Sequence, residues 1–262
     1  VVGVEKMTDL PAEEIAQGLM GAADAEKDMP SGLTFPGIFG LIASKYMYDY
    51  GLKREDLNLV SSTHHKNAVK NPYAQFRNNI SPERISQSPI VSSPLHMLDC
   101  SPISDGAAAC ILSTKIKSNI TIAASQISTD TLSISERDTI TSFSATKDAM
   151  RKALKEANIS RNDISHLEIH DCFSIAALIN LEDLGYVSPG KGIEMYKSKK
   201  SSPTINKSGG LKACGHPVAA TGIKQIIDST KQLKSSGKKY ALAQNFGGAC
   251  ASCAIHILKN SK

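Results

Sequence analysis

The stretch Asn206-Lys-Ser-Gly-Gly-Leu-Lys-Ala-Cys-Gly-His-Pro-Val-Ala-Ala-Thr-Gly222 constrains this chain more than any other. Ser208, Gly209 and Gly210 make a small-residue loop. A short apolar step follows, and Gly215-His216-Pro217 leads into a helix. Proline suits the first helical position, where its missing N–H would be unpaired in any case. Beyond it, Val218, Gly222, Ile223, Ile226, Ile227, Thr230 and Leu233 recur at helical spacing and predict one apolar stripe. His216 is thereby placed at a helix N-terminus, beside unpaired N–H donors and the positive end of the dipole. That setting disfavours an imidazolium and leaves a neutral ring that can accept a proton or donate one hydrogen bond. The neighbouring glycines let a ligand approach the backbone closely. A structural, helix-capping histidine is the competing reading.

The 262 residues allow one large domain or two smaller ones. With 41% hydrophobic and 21% charged residues, the chain has the composition of a globular protein with a real core. The net charge of +5 is mild and dispersed, which argues against a nucleic-acid partner and suits an anionic ligand. No apolar run approaches the roughly 18 residues of a membrane span, and no signal peptide is visible. The six cysteines (Cys100, Cys110, Cys172, Cys214, Cys250 and Cys253) sit in small-residue or apolar contexts. That usage predicts reduced thiols and a cytoplasmic location. The opening Val1-Val2-Gly3-Val4 reads as the middle of a buried strand, not as a natural beginning.

Residues from about 8 to 95 are rich in Pro, Gly, Ser and Asn, with one clear helix over 37–50 closed by Gly51. Asn71-Pro72, Ser81-Pro82, Ser88-Pro89 and Ser93-Pro94 mark turns. This segment reads as an irregular excursion on a scaffold. A tight turn after Cys100 feeds a buried strand at 107–112. Further on, the pattern predicts a strand at 120–127, a helix at 146–158 and a strand at 163–169. A helix at 175–184 comes next, then a polar basic loop at 191–203 and the long helix after Pro217. A strand at 240–244, a turn Asn245-Phe-Gly-Gly248 and a strand at 251–258 close the chain. Strands alternating with helices point to a layered α/β fold with helices on a mixed sheet. The division is 1–118 and 119–262, with the functional crevice beyond the strand ends.

Cys172 is the second chemical focus, two residues after His170 and directly after a strand. A thiol near an imidazole can act as base or nucleophile, or Cys172 is a buried small hydrophobe. Cys250-x-x-Cys253-x-x-His256 resembles a metal motif, but residues three apart on a strand face opposite ways and no second pair completes a tetrahedral site. His64-His65 reads as a solvated pair in a polar loop. Lys197, Lys199, Lys200, Lys207 and Lys212 form either a solvated basic loop or an attractor for a phosphate-bearing ligand.

His170-Asp-Cys-Phe173, Asn206-x-Ser-Gly-Gly210 with Gly215-His-Pro217, and Asn245-Phe-Gly-Gly248 together resemble the thiolase family. The likeness is nearest the sterol-carrier-protein-x type and the archaeal acetyl-CoA acetyltransferases. Cys100-Ser-Pro-Ile-Ser-Asp-Gly-Ala-Ala-Ala109 resembles the family's link into the last strand of its first half. The resemblance implies a five-layered arrangement of two similar α/β halves, with 1–118 the incomplete first half and its loop domain. It implies coenzyme A thioesters as substrates, no further cofactor, and Claisen condensation of acetyl-CoA or its thiolytic reverse.

By the same resemblance, His216 activates a nucleophilic cysteine and binds the thioester oxygen, His170 joins that oxyanion hole, and Cys172 is the acid/base. Gly247 offers an N–H to the acyl oxygen, Ser101 meets the pantetheine arm, and Ser208 and Gly209 line the substrate site. Asn245 stands where other members carry their acid/base cysteine, which assigns that role to Cys172. Ala219 replaces a usual glycine. None of the six cysteines occupies the family's nucleophile motif. The implied nucleophile therefore belongs to a missing N-terminal part, on a longer polypeptide or on a companion chain. Expected partners are acyl-CoA, further copies of the chain and hydroxymethylglutaryl-CoA synthase. The alternative is a non-catalytic acyl-CoA-binding or scaffold subunit. The Cys172 pattern argues against a ketoacyl synthase.

Overall fold

The computed structural model describes residues 1–198 and 203–261. In chain order the elements are β1 (Val2–Glu5), α1 (Ala12–Met20), α2 (Phe35–Tyr50), α3 (Arg54–Ala68), α4 (Pro82–Ser86), β2 (Ile90–Ser92), β3 (Leu95–His96) and β4 (Gly106–Ala109). They continue with β5 (Ile120–Thr129), α5 (Ser144–Ala157), β6 (Ile164–Glu168), α6 (Ser174–Asp183), α7 (Gly192–Lys197), β7 (Thr204–Ile205), α8 (Gly210–Cys214), α9 (Val218–Ser236), β8 (Tyr240–Gly247) and β9 (Ser252–Asn260).

The main sheet is mixed, in the order β5-β9-β8-β6-β7. β5, β9 and β8 pair antiparallel, while β6 lies parallel to both β8 and β7. Parallel neighbours need a long crossover, and α6 to α9 supply it. Side chains alternate across the sheet. Leu242 and Phe246 of β8, with Cys253, Ile255 and Ile257 of β9, enter the main core beside α5 and α6. Ala241 and Leu258 face the other way and meet Leu233 of α9. Every residue of α6 is buried, as a helix enclosed by α2, α3, α5 and α7 must be. The fold is a layered α/β arrangement with helices on both faces of a mixed sheet.

Six features differ from the sequence expectation, four of them in the helices, the basic loop and the closing turn. First, the excursion at 8–95 holds four helices, not one. α2 starts where the Thr34 hydroxyl accepts from Gly37 N–H (3.3 Å) and ends at Gly51, with φ 67°. α3 escaped because its buried face is half polar: Leu57, Asn58, Val60, Ser61, His64, His65 and Ala68. His64 and His65 are therefore core residues, not a solvated pair. Second, α9 turns a polar face to the sheet. Gln225, Asp228, Ser229 and Gln232 are buried with Thr221 and Leu233, while Ile223, Ile226 and Ile227 are half-buried. The sheet offers that face polar partners. Gln225 donates to the carbonyls of Glu168 (3.2 Å) and Gln244 (2.8 Å), and His166 meets Ser236 (2.8 Å). Pro217 is the N-cap, one residue before the first helical position.

Third, the basic loop at 191–203 contains α7, whose Lys197 pairs with Asp56 of α3 at 2.5 Å. Fourth, β8 runs on through Gly247, so the closing turn shifts to 248–251, with φ 60° at Gly248 and 66° at Cys250.

β1 and β4 form an antiparallel ribbon across α9 from the main sheet. The strand at the N-terminus exists, but its valines are not buried: Val2 and Val4 are 68% and 65% exposed. Gly3 packs on the helix, where the Glu5 carboxylate also accepts from Ala219 N–H (2.9 Å), and a Cβ on Gly3 would lie 2.2 Å from the Ala219 carbonyl oxygen. β4 is likewise shorter than the expected 107–112, and Ile111 and Leu112 are exposed. Gly3→Ala therefore forces the ribbon off α9. Urea unfolding should show a loss of about 1–3 kcal/mol, and an unchanged midpoint would refute that packing.

Candidate active site

β6 ends at Glu168, and the next residues are held on both sides as they leave the sheet. Asn206, itself at φ 43°, accepts from Ile169 N–H (2.7 Å) and donates to Ile169 O (3.1 Å). His170 N–H donates to Gln244 Oε1 (2.9 Å), and Asn180 donates to His170 O (2.8 Å). The backbone groups that a strand end leaves unpaired are thus met by buried amides.

Asp171 then turns into the protein. Its carboxylate accepts from Leu211 N–H (2.7 Å) and Lys212 N–H (3.3 Å) at the start of α8. It also meets His64 Nδ1 at 2.6 Å, and His64 Nε2 lies 3.0 Å from the Tyr196 hydroxyl. Burial pushes the Asp171 carboxyl up, but the facing His64 and the two N–H groups outweigh it and hold the group below its usual range. The glycine pair serves this packing. A Cβ on Gly210 would sit 2.3 Å from Asp171 Oδ2, and one on Gly209 2.5 Å from Ala68 Cβ. Ser208 is buried, and its hydroxyl and N–H both donate to Glu168, at 2.6 and 3.1 Å.

An extended segment, residues 100–104, runs from Cys172 to His216. Ser101 N–H donates to Cys172 O (2.7 Å), and Cys100 bridges Phe173. At its other end Ile103 bridges His216, whose N–H points to Pro102 O (3.3 Å) and Ser104 Oγ (3.1 Å). The segment is anchored by Asp99, which is ion-paired to Arg54 and accepts from Ser174 Oγ (2.9 Å). Ser101 is half-buried between the two motifs.

The two motifs meet at their rings. His170 and His216 lie 5.0 Å apart between ring centroids, edge to face at 88°. Phe246 covers His170 at 4.0 Å. Burial lowers His216 to about 4, against a small opposing effect of Asp171. Burial and then the neighbouring His216 lower His170 well below the ordinary imidazole range, although Asp171 and a hydrogen bond with Asn245 oppose them. Burial and the Asp171 charge push the Cys172 thiol far up. At neutral pH the site therefore presents two uncharged imidazoles and one uncharged thiol. Such groups can donate or accept single protons and hydrogen bonds without a standing charge.

Gly247 is exposed at the end of β8, opposite Ser252. Of the lysines before His216, Lys207 is exposed and Lys212 is buried, while Lys199 and Lys200 lie outside the described residues. Cys250 sits in the closing turn and Cys253 in the main core. Among the described residues, no cluster of His, Cys, Asp or Glu could hold a metal. Sequence reasoning missed His64, Asp171 and Thr221, and took Asn245 only as a departure from a motif. Counting His64 and Ser61 as core would have shown the helical spacing of α3.

Comparison with known proteins places the chain among thiolase-like proteins. The family profile described as "Thiolase C-terminal domain-like" matches residues 127–260. An acetyl-CoA acetyltransferase of Methanocaldococcus jannaschii is 39% identical over 286 residues, spanning 100% of this chain and 72% of that protein. Human sterol carrier protein 2 is 31% identical over 272 residues, spanning 90% of this chain and 50% of that protein. The solved acetyl-CoA acetyltransferase of Syntrophomonas wolfei superposes with a TM-score of 0.73 at 18% identity, over 100% of this chain and 72% of that one.

The histidine environment sets a pH dependence. Unfolded, His216 titrates near 6.5, whereas folded it titrates at about 4. Between these values the unfolded chain binds more protons, so stability falls as the pH drops. His216→Gln should lose about 2 kcal/mol less than the parent between pH 7 and pH 5 in urea titrations. An equal loss in both proteins would contradict the buried, neutral ring.

Proposed function

The chain belongs to the thiolase family, and from that premise we propose that it carries the acid–base machinery of an acetyl-CoA C-acetyltransferase. The reaction joins two acetyl-CoA into acetoacetyl-CoA or runs in the thiolytic direction. The observation that carries this reading is the convergence of His170 and His216 at 5.0 Å, with Cys172 tied to the same 100–104 segment as His216.

In this reading His216 and His170 hydrogen-bond the thioester oxygen. A developing enolate is stabilised most by donors already fixed in a dry site. Cys172 rests as a thiol, so its first act is to give its proton to the departing coenzyme A thiolate. The Cys172 thiolate then removes the proton alpha to the second thioester, and the enolate attacks the acyl group. The acyl group is carried by a nucleophilic cysteine outside the six present here, upstream on the same polypeptide or on a companion chain. His216 activates that thiol. Gly247 N–H meets the acyl oxygen, Ser101 the pantetheine arm, and Ser208 and Gly209 support the loop behind them.

The scheme needs no metal or prosthetic group, because coenzyme A enters with the substrate. We place the reaction in the cytoplasm, which fits six unpaired cysteines. Among the described residues no helix is long and apolar enough to cross a membrane. Assembly into an oligomer, and delivery of product to a bound hydroxymethylglutaryl-CoA synthase, complete the proposal. The joint placement of His170, Cys172 and His216 favours catalysis over a non-catalytic acyl-CoA-binding or scaffold subunit. In the complete enzyme, Cys172→Ala should lower condensation and thiolysis by roughly 100-fold or more, while mass spectrometry still detects the acylated nucleophile. Turnover at the parent rate would refute the role of Cys172.

A further inference from the structure

The side chain that faces His216 from within its own helix has no role so far. Thr221 is 1% exposed, and its Oγ1 lies 2.8 Å from His216 Nδ1 and 3.0 Å from the Pro217 carbonyl oxygen. A hydroxyl has one proton to give. A carbonyl oxygen has none, so the contact with Pro217 is made only if Thr221 donates to it. This is the back-bond that a threonine commonly makes to the residue four before it. Towards the imidazole the hydroxyl then has only lone pairs left, and Nδ1 must bring the hydrogen.

The opposite arrangement has Thr221 donating to a bare Nδ1. It sets two oxygen lone-pair sites 3.0 Å apart with no proton between them. The Pro217 carbonyl keeps its N–H donors from Ala220 (2.9 Å) and Thr221 (3.0 Å) in either arrangement, but this form makes one hydrogen bond fewer, about 0.5–1.5 kcal/mol, and sets the two oxygens' lone pairs against each other, which leaves it the minor one. The ring itself packs edge to face on His170 at 5.0 Å, and the backbone of His216 is held by Pro102 and Ser104.

We infer that Thr221 is a positioning residue that fixes His216 as the Nδ1–H tautomer and leaves Nε2 bare. The ring is neutral near pH 7, so tautomer and not charge decides what each nitrogen does. A bare Nε2 accepts a proton from a thiol, and once protonated it donates to a thioester oxygen. That consequence rests on the thiolase reading, whereas the tautomer itself does not.

The test is a long-range proton–nitrogen NMR correlation at pH 7 on chain labelled with 15N-histidine, with His216 assigned by the signals lost in His216→Asn. The expected parent spectrum has a protonated-type Nδ1 and an unprotonated-type Nε2 at His216. Thr221→Ser should keep that pattern, and Thr221→Val should move protonation to Nε2. A parent that is protonated at Nε2, or a Thr221→Val variant with the parent pattern, would overturn the inference. The parent spectrum decides the point even if the valine variant does not fold. In the complete enzyme Thr221→Val should lower kcat by about 10–100-fold with KM little changed, and Thr221→Ser should restore most of it. A shifted tautomer with unchanged kcat would instead count against the catalytic role of His216 and leave the tautomer assignment standing.

Discussion

The Asp171 carboxylate is the constraint on which the rest of the site depends. It is buried, held ionised, and shared by three segments far apart in sequence: α3 through His64, the turn after β6, and the start of α8. A buried anion without partners costs several kcal/mol, so these segments must come together wherever it is charged. Its neighbours in sequence, His170 and Cys172, are aimed by that turn. Its contact with α8 sets where Gly215 and His216 follow. Replacing Gly210 by any residue with a side chain would push α8 off the carboxylate.

Behind this anchor lies a second polar layer, between the sheet and α9. Glu168 is pushed up by burial and by Asp228, yet it accepts from Ser208 and Gln232. Lys224 pairs with Asp228 at 2.7 Å; burial works against its charge, but Cys214, Asp228 and Glu168 hold it above the ordinary range. Buried polar networks specify one arrangement of the elements around them. Here they lock the register of α9, and with it the contact between His216 and Thr221. The ring pair in front is neutral while the layer behind it is charged.

Much of this was legible in the sequence. The layered α/β class, the strand-to-turn position of His170-Asp-Cys-Phe173 and the placing of Gly215-His-Pro217 before a long helix all follow from local patterns and a family likeness. The largest losses, α3 and the buried face of α9, share one cause. Hydropathy periodicity assumes that buried means apolar, and this protein buries polar faces. α3 hides Asn58, Ser61, His64 and His65 and therefore reads as loop, while α9 shows its isoleucines a half-covered side. Asp171 was visible only as the middle letter of a motif, because its partners lie 107 and 40 positions away. The valines of β1 show the converse: a run with the composition of a buried strand stands exposed, while Gly3 and Glu5 meet α9.

The most direct test of this account is a double-mutant cycle between Asp171 and His64, read by urea unfolding with Asp171→Asn, His64→Gln and the pair. If the carboxylate and the imidazole together tie α3 to the active-site turn, the two losses should fall short of additivity by about 1–3 kcal/mol. Losses that add within about 0.5 kcal/mol would mean that the two side chains act separately and that something other than Asp171 holds the site in place.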